Sequence, residues 1–171
     1  LLDLLPSEEN QVLAEIGCGT GWNLRRLAAM RPGWRLIGID VSPDMLSRAG
    51  VATADFGLRV NLLETAYGGG KSPLPEPVDL ILFSYSLTMF NPGWEKAIEQ
   101  AWQDLKPGGL IAVVDFHDTR QGWFERWMRW NRVRLDGHLL PCLEDRFEPV
   151  AREVTAAYGF AWRYFLFVGR K

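Results

Sequence analysis

Short apolar runs alternate along the chain with stretches whose apolar residues recur every three or four positions. Residues 11–16 (QVLAEI) form an apolar run that ends in glycines. The next stretch, 22–31, carries Leu24, Leu27 and Ala28 at helical spacing, and Pro32-Gly33 stops it. Residues 35–40 (RLIGID) read as a second strand. Ser42-Pro43-Asp44 then opens a helix, with Ser42 as N-cap and Pro43 at the first helical position. Residues 58–63 make a weaker third strand, and 68–77, with three glycines and three prolines, a loop. The run 78–84 (VDLILFS) is almost continuously apolar, as a strand covered on both faces must be. Residues 92–105 place Trp94, Ala97, Ile98, Ala101, Trp102 and Leu105 on one helix face. Lys106-Pro107-Gly108-Gly109 is a hard turn, and 110–116 (LIAVVDF) a fifth strand. The C-terminal third is expected to hold a helix near 123–135, a kinked stretch through Pro141, a helix near 148–158 and a final strand within 160–168. This order predicts an α/β fold: a doubly wound, mostly parallel sheet with helices on both faces.

Composition narrows the class. A chain of 171 residues suits a single domain, 1–171. Its 47% hydrophobic and 23% charged residues argue against long disorder. Nineteen basic against 21 acidic residues leave a net charge of −2, so no bulk electrostatic grip on nucleic acid is expected. Two cysteines, Cys18 and Cys142, are too few for a disulfide scaffold and point to a reducing, cytoplasmic setting. No apolar run reaches the roughly 18–20 residues of a membrane span, and no secretory signal opens the chain. The opening Leu1-Leu2-Asp3-Leu4-Leu5, without an initiator Met, reads like the end of a helix whose earlier part is missing.

The most specific signal is Glu15-Ile16-Gly17-Cys18-Gly19-Thr20-Gly21, where the first strand meets the first helix. Glycines there allow a tight turn and let a ligand approach the backbone without meeting a Cβ. The helix N-terminus that follows favours a carboxylate or phosphate. A dinucleotide fingerprint is G-x-G-x-x-G. In this chain the third glycine comes one position early, at Gly21, and Trp22 stands where it should be, which disfavours a nicotinamide-dependent oxidoreductase.

The pattern acid-x-G-x-G-x-G instead resembles the cofactor loop of class I S-adenosylmethionine-dependent methyltransferases, and the resemblance extends over most of the chain. It implies a Rossmann-like fold, S-adenosyl-L-methionine as cofactor and S-adenosyl-L-homocysteine as product. Asp40, ending the second strand, matches the family's acid for the ribose hydroxyls, where a carboxylate accepts from two hydroxyls at once. Val41 and Met45 match the apolar positions on the adenine. Residues 78–82 and 105–109 match the fourth strand and the turn before the fifth. Where the family places an acid or Asn near the adenine amino group, this chain has Glu64-Thr65-Ala66, with Thr65 at the acid's position. Glu15 is assigned to the cofactor's amino group or one layer behind it, and Asn23 joins the same set with Cys18 and Thr20 of the loop. A non-catalytic binding protein on the same fold is disfavoured by the intact Glu15, three glycines and Asp40.

Acceptor-side candidates come from strand ends, where ligands of α/β sheets sit. Ser84-Tyr85-Ser86 follows the fourth strand, and Asp115-Phe116-His117-Asp118 ends the fifth. Tyr85 is a candidate to orient an acceptor, Ser84 or Ser86 to contact the methionine part, and His117 to act as a base. An Asn/Asp-Pro-Pro-aromatic motif, frequent in base-modifying amino-methyltransferases, does not follow the fourth strand, which argues against a nucleic-acid acceptor. Asp115, His117 and Asp118 are joined by no further ligand at recognisable spacing, so no metal is expected.

Residues 120–135, from Arg120 to Leu135, read RQGWFERWMRWNRVRL. As a helix they put Trp123, Phe124, Trp127, Met128, Trp130 and Leu135 on one side and Arg126, Arg129 and Arg132 on the other. Five arginines and one glutamate give the segment a charge of +4. Such a face suits either packing on the sheet or peripheral contact with an anionic membrane. The residues Phe83 to Met89, Trp94, Val113 to Phe116 and Trp123-Phe124 resemble the N-methyltransferases of betaine-lipid synthesis. That resemblance implies methyl transfer to an amine of a small molecule or lipid headgroup at a membrane surface. It also implies a leading segment, ahead of Leu1, that closes over the cofactor.

Overall fold

A computed structural model describes residues 1–6, 8–119, 121–122, 126, 128, 130, 135–157 and 162–171. Seven strands form one sheet in the order β3-β2-β1-β4-β5-β7-β6. They are β1 (Val12–Ile16), β2 (Arg35–Asp40), β3 (Val60–Glu64), β4 (Val78–Ser84), β5 (Leu105–Asp118), β6 (Glu148–Ala157) and β7 (Trp162–Arg170). The first five pair in parallel, and β7 and β6 add an antiparallel edge. Four α-helices accompany them among the described residues: α1 (Trp22–Met30), α2 (Pro43–Thr53), α3 (Trp94–Asp104) and α4 (Leu139–Arg146).

The sheet is covered on both faces, and β4 shows why its sequence is apolar throughout. Ile81 and Phe83 pack on one side with Ala97, Ile98 and Ala101 of α3 and with Leu139 and Leu143 of α4. Leu80 and Leu82 pack on the other with Leu24, Leu27 and Ala28 of α1. Successive strand residues point to opposite faces, so a central strand needs apolar residues at every position. Each fully buried Leu or Ile here contributes roughly 1.5–3 kcal/mol.

Local signals settle the element ends nearest the site. The Ser42 hydroxyl accepts from the Met45 amide at 3.3 Å and caps α2, with Pro43 in its first turn. Asp79 fastens the opposite end of the sheet: it accepts from the Val12 amide at 2.9 Å and from Lys106 Nζ at 2.8 Å.

Several expectations shift. Residues 106–109 do not end a helix–strand turn outside the sheet. They bulge out of β5 between the pairs Val78–Leu105 and Leu80–Leu110, and Lys106, Pro107 and Gly108 are exposed. Residues 148–158, read as a helix from their Ala, Glu and Arg content, include strand β6, paired with β7 from Glu148–Arg170 to Ala157–Trp162. Pairing outweighs helix propensity there, and Val150, Val154 and Thr155 suit the pleat. The stretch through Pro141 is helix α4, with the proline in its first turn, where no intrahelical amide bond is lost. Most of the tryptophan–arginine segment 123–134 lies outside the described residues. Within it Met128 is buried, Arg126 is exposed and Trp130 is 87% exposed. Among the described residues no helix is long and apolar enough to cross a membrane.

Candidate functional site

Parallel strands β1, β2, β3 and β4 all end at one edge of the sheet, and the glycine turn lies across it. Gly17, Gly19 and Gly21 have φ of 72°, 53° and 74°, a region that side-chain-bearing residues seldom enter. A Cβ at Gly17 would lie 2.6 Å from Ser86 Cβ, whereas one at Gly19 would meet nothing within 4 Å. Gly17 is thus glycine for packing, and Gly19 leaves bare backbone facing open space. The amides of Gly17 and Cys18 donate to the Ile39 carbonyl at 2.8 and 3.0 Å, which ties the turn to β2.

Asp40 fastens the turn from the side. Its Oδ2 accepts from the Gly19 amide at 2.8 Å and its Oδ1 from the Ser42 amide at 3.0 Å. Each carboxylate oxygen keeps a further lone pair for a hydroxyl. Val41 and Met45 stand next to it, 68% and 39% exposed, and Thr20 is exposed on the turn. Glu64 pairs in register with Asp40, and the Thr65 amide donates to the Asp40 carbonyl at 3.1 Å. Residues 64–66 therefore join 40, 41 and 45 at one edge, with Glu64 and Ala66 exposed.

Glu15 is buried, 2% exposed. Asn23 Nδ2 donates to its Oε1 at 2.7 Å, and its Oε2 is buried without a partner among the described residues. Burial pushes its carboxyl up to about 8; the Asn23 bond opposes the rise and the Asp40 charge adds to it. The Cys18 thiol, buried beside the same two carboxyls, is pushed up to about 12, which leaves it an inert packing group.

The acceptor-side candidates lie beyond β4. Ser84 ends the strand half-buried. Tyr85 has φ 52°, its amide donates to the Val114 carbonyl at 2.8 Å, and its exposed ring meets Phe116 edge-on at 5.2 Å. Two ties hold this strained residue in place. Ser86 Oγ donates to the Ile16 carbonyl at 2.6 Å. Thr88 gives both its amide, at 3.1 Å, and its hydroxyl, at 2.6 Å, to Asp115. Asp115 is fully buried and also accepts from the Phe116 amide at 2.8 Å. Burial raises its carboxyl to about 6 against these hydrogen bonds. Ser86, a candidate for the methionine part, instead commits its buried hydroxyl to the Ile16 backbone, and sequence reading missed Thr88 as a pin; its signal was a polar residue in an apolar stretch that turns out buried.

His117 is placed apart from Tyr85. Strand alternation turns it to the face opposite Phe116, against Phe165 and Gly137. Its Nδ1 is buried without a partner among the described residues. Burial lowers its basicity, the Asp118 charge opposes this, and Arg163 adds to it. Asp118 is bound by the Arg163 guanidinium.

The comparisons with known proteins agree with this geometry. Residues 13–109, from β1 through the bulge of β5, match the family profile described as a methyltransferase domain. The chain is 32% identical over 131 residues to a trans-aconitate 2-methyltransferase of Paracidovorax citrulli, covering 75% of this chain and 47% of that one. It is 30% identical over 110 residues to the Deinococcus radiodurans protein of the same name, covering 64% and 40%. The chain thus spans under half the length of these relatives. The N-methyltransferase NodS of Bradyrhizobium japonicum, solved with S-adenosyl-L-homocysteine, superposes with a TM-score of 0.79 at 23% identity, over 96% of this chain and 80% of that one. A glycine turn fastened to a strand-end aspartate, on this strand order and with this profile match, identifies the chain as a member of the class I S-adenosylmethionine-dependent methyltransferase family.

Proposed function

We propose that the chain transfers a methyl group from S-adenosylmethionine, in line, to an amine of a small molecule or of a lipid headgroup. The observation that carries the reading is the bare turn at Gly19 held by Asp40. In this reading Asp40 takes the ribose hydroxyls, Val41 and Met45 flank the adenine, and residues 64–66 meet its edge. Glu15, Asn23 and Ser84 face the methionine end, and Tyr85 borders the acceptor. The cofactor supplies a methyl group on an intrinsically good leaving group. The chain's own contribution is alignment and exclusion of water, worth roughly 7–11 kcal/mol of barrier.

An amine is the acceptor class that this reading favours, because methyl transfer to an amine needs no strong base. Asp115 is committed to Thr88 and the Phe116 amide, and His117 faces away from Tyr85. An amine that has lost its proton to water suits such an arrangement, whereas a hydroxyl usually needs a base. A lipid headgroup among such amines is supported by the +4 charge of residues 120–135 and by the exposure of Arg126 and Trp130.

A carboxylate also needs no base, and the similarity to trans-aconitate 2-methyltransferases favours it as a second reading. One experiment separates the two. The chain is incubated with methyl-labelled S-adenosylmethionine and with lipid or soluble amine extracts, or with trans-aconitate, and the product is treated with mild alkali. An N-methyl product keeps its label, whereas a methyl ester releases volatile methanol. Label found only in an alkali-labile product rules out the amine reading.

A further inference from the structure

Asp115 is a carboxylate where carboxylates are rare. It is fully buried near the end of β5, on the face of the sheet that Ile111 and Val113 share with α3 and α4. Phe165 lies opposite it on β7, and no ion pair compensates it among the described residues. Its two oxygens divide the hydrogen bonds between them. Oδ1 accepts from the Phe116 amide at 2.8 Å and from the Thr88 hydroxyl at 2.6 Å, and Oδ2 accepts from the Thr88 amide at 3.1 Å. Each oxygen thus holds one backbone amide. A hydroxyl can turn round and accept from a protonated carboxyl, but an amide cannot. Whichever oxygen takes a proton, one amide bond weakens.

Both amides belong to backbone beside Tyr85. Thr88 closes the turn that leaves β4 through Tyr85, and Phe116 carries the ring that meets Tyr85 edge-on at 5.2 Å. Tyr85 stands at φ 52°, a strained conformation that persists only where its surroundings hold it. Two of its ties, the Val114 carbonyl on the Tyr85 amide and the Ile16 carbonyl on Ser86 Oγ, do not titrate. The tie to Asp115 does.

We infer that the ionised Asp115 is a positioning residue for Tyr85, and that taking up a proton there loosens the turn 85–88 and with it the acceptor side. This rests on the reading that Tyr85 borders the acceptor and adds to it a control by acidity. The change falls in an accessible range, because burial raises the carboxyl to about 6 against the bonds from Thr88, Phe116 and Leu87. The folded chain holds this proton more firmly than the unfolded one, so acid acts on the turn without unfolding the chain through this group. Titratable side chains on the elements packed over the same face include His117 of β5, His138 ahead of α4, Cys142 of α4 and the Tyr67–Asp104 pair beside α3. None of them is among the influences on Asp115, which are burial and hydrogen bonds.

The test is fluorine NMR of the full chain with 3-fluorotyrosine in place of its four tyrosines, the Tyr85 signal being assigned from Tyr85→Phe. From about pH 8 down to about pH 5 that signal should move or broaden with a midpoint at about 6. Asp115→Asn puts an amide group, which cannot accept, on one side, and its Tyr85 signal should stay at the acid position throughout. Thr88→Val removes one bond to the charged form and should raise the midpoint by about one pH unit, and Thr88→Ser should restore it. The Thr88 variants keep the test decisive if Asp115→Asn fails to fold. A Tyr85 signal that does not titrate overturns the assignment. So does a titration that survives in Asp115→Asn or vanishes in His117→Gln, or a midpoint indifferent to Thr88→Val. In calorimetry Asp115→Asn should bind S-adenosyl-L-homocysteine within about twofold of the parent chain. A larger loss makes Asp115 a support of the cofactor side and overturns the assignment equally. A parent chain that binds none refutes the cofactor reading itself, a result separate from the fluorine spectra.

Discussion

Replacing Glu15 by glutamine isolates the one carboxyl that the fold keeps protonated near neutrality. Gln has the shape of protonated glutamic acid: its oxygen still accepts from Asn23 Nδ2, and its amide group occupies the place of the unpartnered Oε2. Burial raises the carboxyl of Glu15 from 4.5 to about 8 in the folded chain. The sign follows from linkage. Below pH 4.5 both folded and unfolded chains carry the proton, and Glu15 lends no pH dependence. Between pH 4.5 and 8 the unfolded chain loses its proton while the folded chain keeps it. Folding then weakens by up to about 1.4 kcal/mol per pH unit, and above pH 8 the loss levels off at about 2–5 kcal/mol once the site relaxes. Glu15→Gln removes this term. Urea denaturation of both chains from pH 5 to pH 9 should show nearly equal stability at pH 5 and a variant more stable by about 2–5 kcal/mol at pH 9. A stability difference that stays constant across this range would refute the reasoning, because a purely steric effect of the substitution does not titrate.

Asp40→Ala removes the anchor of the Gly19 and Ser42 amides as well as the proposed ribose acceptor; affinity for S-adenosyl-L-homocysteine should fall by about 100-fold in calorimetry, and unchanged affinity would discredit the ribose assignment. Gly17→Ala drives a Cβ to 2.6 Å from Ser86 Cβ at a φ of 72°, so thermal unfolding should show a loss of about 2–4 kcal/mol. Adding Ser86→Gly should recover part of that loss by removing the clash; no recovery would mean that backbone conformation alone sets it. Co-sedimentation with anionic phosphatidylglycerol vesicles at low salt should retain the chain, and Arg126→Glu should release it in part; binding indifferent to that charge would dismiss residues 120–135 as a membrane contact.

Much of this architecture is legible in the residues because one physical demand dominates each stretch. The continuous apolar run of β4 has a single stable location, the middle of a sheet covered on both faces. Ser42-Pro43 marks the start of α2 through capping chemistry that depends on nothing distant. The glycine turn is readable for a similar reason, since three positive φ values are encoded in three residues. The C-terminal part resists reading because its structure comes from partners far away in the chain. Residues 148–157 have the composition of a helix, and only the edge of β7 draws them into a strand. The same holds within the site. Ser86 reads as a ligand contact and Thr88 as an ordinary loop residue until the fold brings Ile16 and Asp115 to them, across 70 and 27 positions of sequence.

The doubly tethered segment from Ser84 to Thr88 has an entropic consequence. Its backbone is anchored to β1 through Ser86 and to β5 through Thr88 within the folded chain itself. Immobilising a comparable free loop during an encounter would cost about 1–2 kcal/mol per residue, and the folding of the sheet has already met that cost. The aromatic ring at position 85 can therefore be exchanged for another side chain without changing the path of the main chain that carries it.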